Sequence, residues 1–405
     1  MIEIAQSPRC ISRGRSGTAR RGLEVFSVFW LVISSGGAYY NNSAAVNIVL
    51  LLSVALILVQ LFVFRADLMA RSGRAVIYMA ALFLLMICSM LANSDTASFL
   101  TYARLLVVVV LAMCTVRLVG VARFLSLCVF SVAFLSLVSL VLYYSEALVS
   151  FSSLFPSFSS NEISYRNAFL YSEIEGVERR NSGVFIEPGL FQVYLNFCLG
   201  LLLLGVVRAR GANVLILVFL ASIFSTSSTT GFIVATAFLV LSIWGPSGRL
   251  SGGGAVKYLI LLAALVFVGS SDYVTSNVAD KFTNDVNMSF LTRLNSTVID
   301  LIAISENPYF GIGAGEYLNF VSYYDGRGLV VDAATNTFTQ LSAYVGLVFS
   351  LAVVVRGGAF FFGIVKSRSA RVAFLVWYVL SFATEPFVLF PFFYTFSFLS
   401  FATNE

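Results

Sequence analysis

The stretch from Val121 to Tyr144 reads VARFLSLCVFSVAFLSLVSLVLYY and carries one charge, Arg123. As a helix at ~1.5 Å per residue it is ~36 Å long, enough to cross ~30 Å of hydrocarbon. Further runs of this kind fill the chain. The spans read as 23–40, 44–64, 75–92, 99–119, 121–144, 184–206, 212–225, 230–245, 256–270, 337–364, 370–384 and 387–402. The composition agrees: 59% of the 405 residues are hydrophobic and 11% are charged. Soluble domains carry roughly 25% charged residues, so a water-soluble globule, a disordered chain and a disulfide-rich module are all excluded. The expected fold is an all-α polytopic membrane protein with about twelve transmembrane helices, because only internally satisfied backbone tolerates lipid.

Basic residues orient the spans. With the N-terminus inside, short cytoplasmic loops receive 17 of the 25 Lys and Arg, and 16 of the 20 acids fall outside or near that face. Both termini are therefore expected inside. The chain divides into a basic cytoplasmic N-terminus (1–22), five spans (23–144), an external loop (145–183), four spans (184–270), a larger external loop with an amphipathic helix (271–336), and three spans (337–405). Every cytoplasmic loop is short and no GxxxxGK[ST] motif occurs, so chemistry is expected on the external face. A net charge of +5 is too small to suggest nucleic acid.

There is no histidine, which removes Ser/His/Asp triads, Cys/His dyads and His-ligated metals. The five cysteines lie apart, four of them in apolar runs, so no metal site and no cofactor is expected. Five segments are left to carry chemistry.

The first is Arg179-Arg180-Asn181-Ser182-Gly183-Val184-Phe185-Ile186-Glu187-Pro188. Glu187 stands at a helix start, within reach of Arg180 across the bend that Gly183 permits. It reads either as a helix-start signal with an ion pair or as an acid/base carboxylate beside an anion-binding arginine. The second is Arg293, an amphipathic stretch over 290–304, and Asn307-Pro308-Tyr309-Phe310-Gly311-Ile312-Gly313-Ala314-Gly315. There the backbone of Gly311 and Gly313 is expected to approach a ligand. The third is Asp332 with Thr335 and Asn336, and the fourth is the hydroxyl-rich turn 225–231 containing Ser228. Both suit sugar hydrogen bonds, with helix capping as the plain alternative. The fifth is Arg104, ~7 Å below the external surface, either snorkelling or facing an anionic head group. Glu385 before Pro386 is a similar case. External tyrosines such as Tyr309 and Tyr323 suit sugar stacking or an interfacial belt.

In order, these segments resemble O-antigen polysaccharide polymerases of the Wzy type, within the wider polymerase/ligase superfamily. The matches are Arg180 through Pro188, Ser228 with Thr230 and Gly231, Arg293 with Asn307 to Gly313, and Thr335-Asn336 with Gly346. They run from about residue 180 to 350; the first half is similar only in hydropathy. The resemblance implies a GT-C-like architecture in the bacterial inner membrane, with the loops 145–183 and 271–336 and the active site in the periplasm. It implies a metal-independent glycosyltransferase that extends undecaprenyl-diphosphate-linked repeat units into long polysaccharide for lipopolysaccharide. Arg180, Glu187, Arg293 and Asn336 would be catalytic. Arg104, Arg179, Ser228, Gly311, Gly313, Asp332 and Thr335 would bind substrate. Partners would be lipid-linked glycans, membrane lipids and a chain-length regulator. The chain departs from the pattern at Thr229, where relatives have arginine, and at Thr335, where ligases carry histidine. The second departure favours polymerase over ligase; a lipid or oligosaccharide transporter is the alternative from another class.

Overall fold

The computed structural model describes residues 16–37, 43–70, 73–95, 98–149, 157–160, 163–167, 170–175, 179–244, 288–325 and 336–402. The expected span 256–270, and residues 1–15 of the basic N-terminus, lie outside them. The described chain is mostly helical. The helices are α1 (Ser16–Ile33), α2 (Ser43–Ala70), α3 (Gly73–Ala92), α4 (Phe99–Val119), α5 (Val121–Val149), α6 (Pro188–Leu203), α7 (Ala212–Thr226), α8 (Thr229–Trp244), α9 (Met288–Glu306), α10 (Ala314–Asp325), α11 (Thr337–Val345), α12 (Leu347–Ile364), α13 (Arg368–Thr384) and α14 (Pro391–Ala402).

Among the described residues five helices are long and apolar enough to cross a membrane: Val46–Val63 within α2, then Gly73–Ala92, Phe99–Val119, Val121–Ser145 and Leu347–Ile364. α6, α7, α8 and α14 are apolar but shorter. Large apolar side chains cover the outside of the bundle, among them Leu51, Phe62, Ile77 and Leu84. In water such a belt would drive aggregation; facing lipid it is the stable arrangement.

Two helices form the inner layer. α6 buries fifteen of its sixteen residues, and α14 eleven of twelve. A helix apolar all round is stable only when enclosed. α6 is enclosed by α5, α7, α8 and α13, and α14 by α1, α3, α4 and α12. Between them Tyr194, Phe197, Trp377, Phe392 and Phe396 interlock, with ring centroids 4.4–5.8 Å apart. This spacing is favourable for stacked and edge-on rings.

Three features correct the expectations. The span 337–364 is two helices, broken at Gly346, whose φ is +98°. The loop 145–183 holds a three-stranded antiparallel sheet, β1 (Ser157–Ser160), β2 (Ile163–Asn167) and β3 (Ser172–Ile174), in the order β1-β2-β3. The loop after Gly313 contains the helix α10 beside the anticipated amphipathic α9.

The break at Gly346 is built into the packing. A Cβ there would lie 2.0 Å from Tyr309 O, while Leu347 N donates to Pro308 O at 2.8 Å. Gly346→Ala is expected to destabilise the protein by about 2–5 kcal/mol, from backbone strain plus overpacking. A thermal melt in detergent checks this; an unchanged midpoint would show that the break is not required.

Candidate functional site

Turns and helix ends that are far apart in sequence meet at one end of the bundle. Ile186 N donates to Gly36 O at 3.0 Å, joining the start of α6 to the end of α1. Phe387 N donates to Thr337 Oγ1 at 2.8 Å, joining the α13–α14 turn to α11. Gly315 N donates to Asp95 Oδ2 at 2.9 Å, joining α10 to the α3–α4 turn.

The Arg-Asn-Ser-Gly segment builds the approach to α6. Asn181 Nδ2 donates to Ser225 Oγ at 2.8 Å, and Asn181 Oδ1 accepts from Gly183 N at 2.9 Å. Gly183 turns with φ +58°, and a Cβ there would meet the Phe191 ring at 3.0 Å. The bend delivers Glu187 to the N-cap position of α6, ahead of Pro188. Its side chain makes no capping hydrogen bond. The carboxylate is thus left over for other partners, while the helix N-terminus still favours its charge.

Those partners are two arginines and a second acid. Arg293, on α9, reaches Glu385 with Nη2 3.6 Å from Oε1. Burial pushes the Glu187 carboxyl up, and the guanidinium groups of Arg293 and then Arg180 pull it back down. Glu385 is more deeply enclosed: burial pushes it up to about 8, against the pull of Arg293 and Arg180 and helped by the nearby Glu187 charge. The result is a cluster of two carboxyls and two guanidiniums, with Arg293 35% exposed and Glu385 2%. Arg293 is therefore a cation that an incoming anion can reach.

The structure redistributes the other expected residues. Arg180 makes no ion pair with Glu187. Its Nε and Nη2 donate to Thr226 O and Ser227 O, each at 3.0 Å, so it caps the carbonyl end of α7 and acts on Glu187 only through space. Arg179 is turned away: it pairs with Glu173 at 3.4 Å and lies 4.6 Å over the Tyr143 ring. Asn336 is the N-cap of α11, its Oδ1 accepting from Phe338 N and Thr339 N at 3.1 and 3.3 Å. Ser228 Oγ accepts from Gly231 N at 3.3 Å, at the first turn of α8. Arg104 lines a separate cavity of about 30 Å³ beside Gly36, Gly37 and Phe390. Tyr309 and Tyr323 are exposed, whereas Tyr165, Tyr171 and Tyr317 are buried. Asp332 and Thr335 lie outside the described residues.

Gly311 and Gly313 also differ from expectation. They pack against the protein's own atoms, Gly311 against backbone and Gly313 against a side chain. A Cβ on Gly311 would lie 2.4 Å from Ala343 O, and one on Gly313 would lie 2.9 Å from Asp95 Oδ2. Their positive φ values of +68° and +87° favour glycine independently.

Two acids carry more than the sequence indicated. Glu385 repeats the Glu-Pro pair of Glu187-Pro188, a signal visible in the sequence. Asp300 has no such mark. It is fully buried, accepting from Tyr317 Oη and Thr339 Oγ1, each at 2.6 Å, and so ties α9 to α10 and α11. Burial pushes its carboxyl up to about 6, against the two hydroxyl donors. A raised carboxyl binds its proton more tightly folded than unfolded, so it loses stability for the fold as pH rises from ~4 to ~6. Two pKa units correspond to ~3 kcal/mol. Asp300→Asn is expected to raise the melting midpoint at pH 7.5 and to flatten its pH dependence between 4 and 6. A midpoint profile parallel to the parent's would contradict this.

Among the described residues no three His, Cys, Asp or Glu side chains gather where a metal ion could be held. No family model matches the chain, and no curated protein matches it.

Proposed function

We propose that the chain is a membrane glycosyltransferase that polymerises undecaprenyl-diphosphate-linked oligosaccharide repeats into O-antigen-type polysaccharide. The observation that carries this reading is the cluster of Arg293, Glu187, Glu385 and Arg180 at the bundle end where the matched segments converge. The order of those segments along 180–350 supports it as well. So does the charge map: Arg117, Arg123, Arg208, Arg210, Lys366 and Arg371 stand at or near the opposite ends of their helices, as they would with the cluster external and both termini inside. On this reading the chain crosses the bacterial inner membrane about twelve times in a GT-C-like architecture, with its active site facing the periplasm.

The chemistry needs few groups. A lipid diphosphate is a good leaving group if its growing negative charge is met by fixed positive charge. Arg293 supplies a planar, always charged fork for its oxygens. Arg180, anchored on α7, adds field without contact. Glu187 accepts the proton of the acceptor sugar hydroxyl as that oxygen attacks the anomeric carbon. The glycosidic bond to the new sugar forms, the bond to the diphosphate breaks, and the polyprenyl diphosphate leaves. Both substrates carry their own lipid, which accounts for an acid/base pair at helix ends rather than in a separate domain. The test is conversion of a purified lipid-linked repeat unit to longer lipid-linked chains. Transfer to lipid A core would indicate a ligase, and passage of unchanged substrate across a bilayer a transporter.

A further inference from the structure

Glu385 is the member of the cluster that the reaction leaves unused. It opens the turn between α13 and α14 and is 2% exposed. Its Oε1 is 3.6 Å from Arg293 Nη2, long for a charge-assisted hydrogen bond. Its Oε2 is buried with no hydrogen-bond partner among the described residues. Buried carboxylate oxygens are normally satisfied, so an unpartnered one beside a reachable guanidinium marks a place kept for exchange. The acid is fixed in position. A Cβ on Gly189 would lie 2.2 Å from Oε1, so the carboxyl rests against the first turn of α6. Thr337 Oγ1 donates to Glu385 O and accepts from Phe387 N, pinning the turn. Among the described residues the charged groups facing it are Arg293 from α9, and Glu187 and Arg180 from the segment leading into α6.

We propose that Glu385 is the internal counter-anion of Arg293: as a carboxylate it holds the guanidinium that a phosphorylated lipid needs, and the ligand binds with Glu385 in its neutral acid form. This rests on the lipid-diphosphate reading above. The step is a proton transfer alone: the carboxylate takes one proton from solvent as the ligand's anion replaces it on Arg293. Burial already pushes Glu385 up to about 8 in the free protein, and a bound phosphate would push it further. With its carboxyl pushed up to about 8, Glu385 is the neutral acid at lower pH and gives up its hold on Arg293, and at higher pH the carboxylate reclaims the arginine. Affinity therefore falls as pH rises, about tenfold between pH 7 and 9. The ligand's own last ionisation makes it more anionic over this range, so simple charge attraction predicts the opposite slope.

The experiment titrates the purified full chain in detergent with farnesyl diphosphate at pH 7, 8 and 9. Calorimetry in two buffers of different ionisation heat counts protons. The expected result is an affinity about tenfold weaker at pH 9 than at pH 7, with close to one proton taken up per ligand at pH 9. Glu385→Gln, monodisperse and with wild-type helix content, is expected to lose the falling slope and the proton uptake, leaving an affinity that is flat or rises with pH as the ligand ionises. A wild-type affinity that is flat or rises with pH overturns the counter-anion role whatever the variant does. The same falling slope with inorganic diphosphate supports the role and assigns recognition to the head group; a slope seen only with farnesyl diphosphate supports it and adds the lipid tail. Absence of farnesyl diphosphate binding at every pH overturns the lipid-diphosphate reading itself, and the role falls with it.

Discussion

Arg293→Ala is expected to stop chain growth, leaving cells with product of a single repeat and no ladder of longer chains. Arg293 is the half-exposed cation of the cluster, and among the described residues its ion pair is with Glu385, at 3.6 Å. Removing one preorganised group that meets transition-state charge typically costs about 10²–10³ in turnover. The same change removes the cation nearest Glu385, which favours the neutral acid further, and leaves Arg180 engaged by the carbonyls of Thr226 and Ser227. Arg293→Lys is expected to restore part of the rate, because an ammonium keeps the charge but loses the planar fork. Gel analysis of extracted polysaccharide reads both variants, with membrane-extracted protein levels as the control. A normal ladder from Arg293→Ala would remove the residue from the phosphate site.

Glu187→Gln is expected to be nearly as damaging, slowing polymerisation about 10²–10⁴-fold, the usual contribution of a general base. The amide keeps the shape of the N-cap position, and Glu187 makes no side-chain cap bond to lose, so folding should survive. The pH profile separates base from bystander. Burial raises the Glu187 carboxyl, so the active carboxylate form appears only as pH rises through its elevated value. The wild-type rate should therefore climb with pH on its acidic limb, and that limb should vanish in Glu187→Gln. A variant of normal turnover, or one that keeps the limb, would assign the proton to another group.

The sequence made the long apolar helices legible because lipid allows so few solutions. From residue 99 to 144 the expected and observed boundaries nearly coincide, since Gly120 alone interrupts two apolar runs. It did not reveal the break at Gly346. The apolar residues continue on both sides of that glycine, and what forces the break is tertiary: Pro308 and Tyr309 dock against its backbone from far away in the chain. The site shows the same division. Motif spacing placed Arg180 and Glu187 at a helix start, but could not show that the carbonyls of Thr226 and Ser227 would claim the arginine. Asn336 and Ser228 act as caps, the plainer of the two readings their residue types allow. Glu385 was readable as a second Glu-Pro pair, yet its meaning depends on Arg293, which approaches it from another helix.

These residues describe a reaction centre only if the chain joins lipid-linked sugars. Incubation of the purified protein with an undecaprenyl-diphosphate-linked repeat unit tests that most directly, with products separated by mass. The expected result is a series of lipid-linked chains, each longer by one repeat, with free undecaprenyl diphosphate released once per addition and the series absent from Arg293→Ala. Substrate recovered unchanged under conditions where the protein stays folded would contradict it.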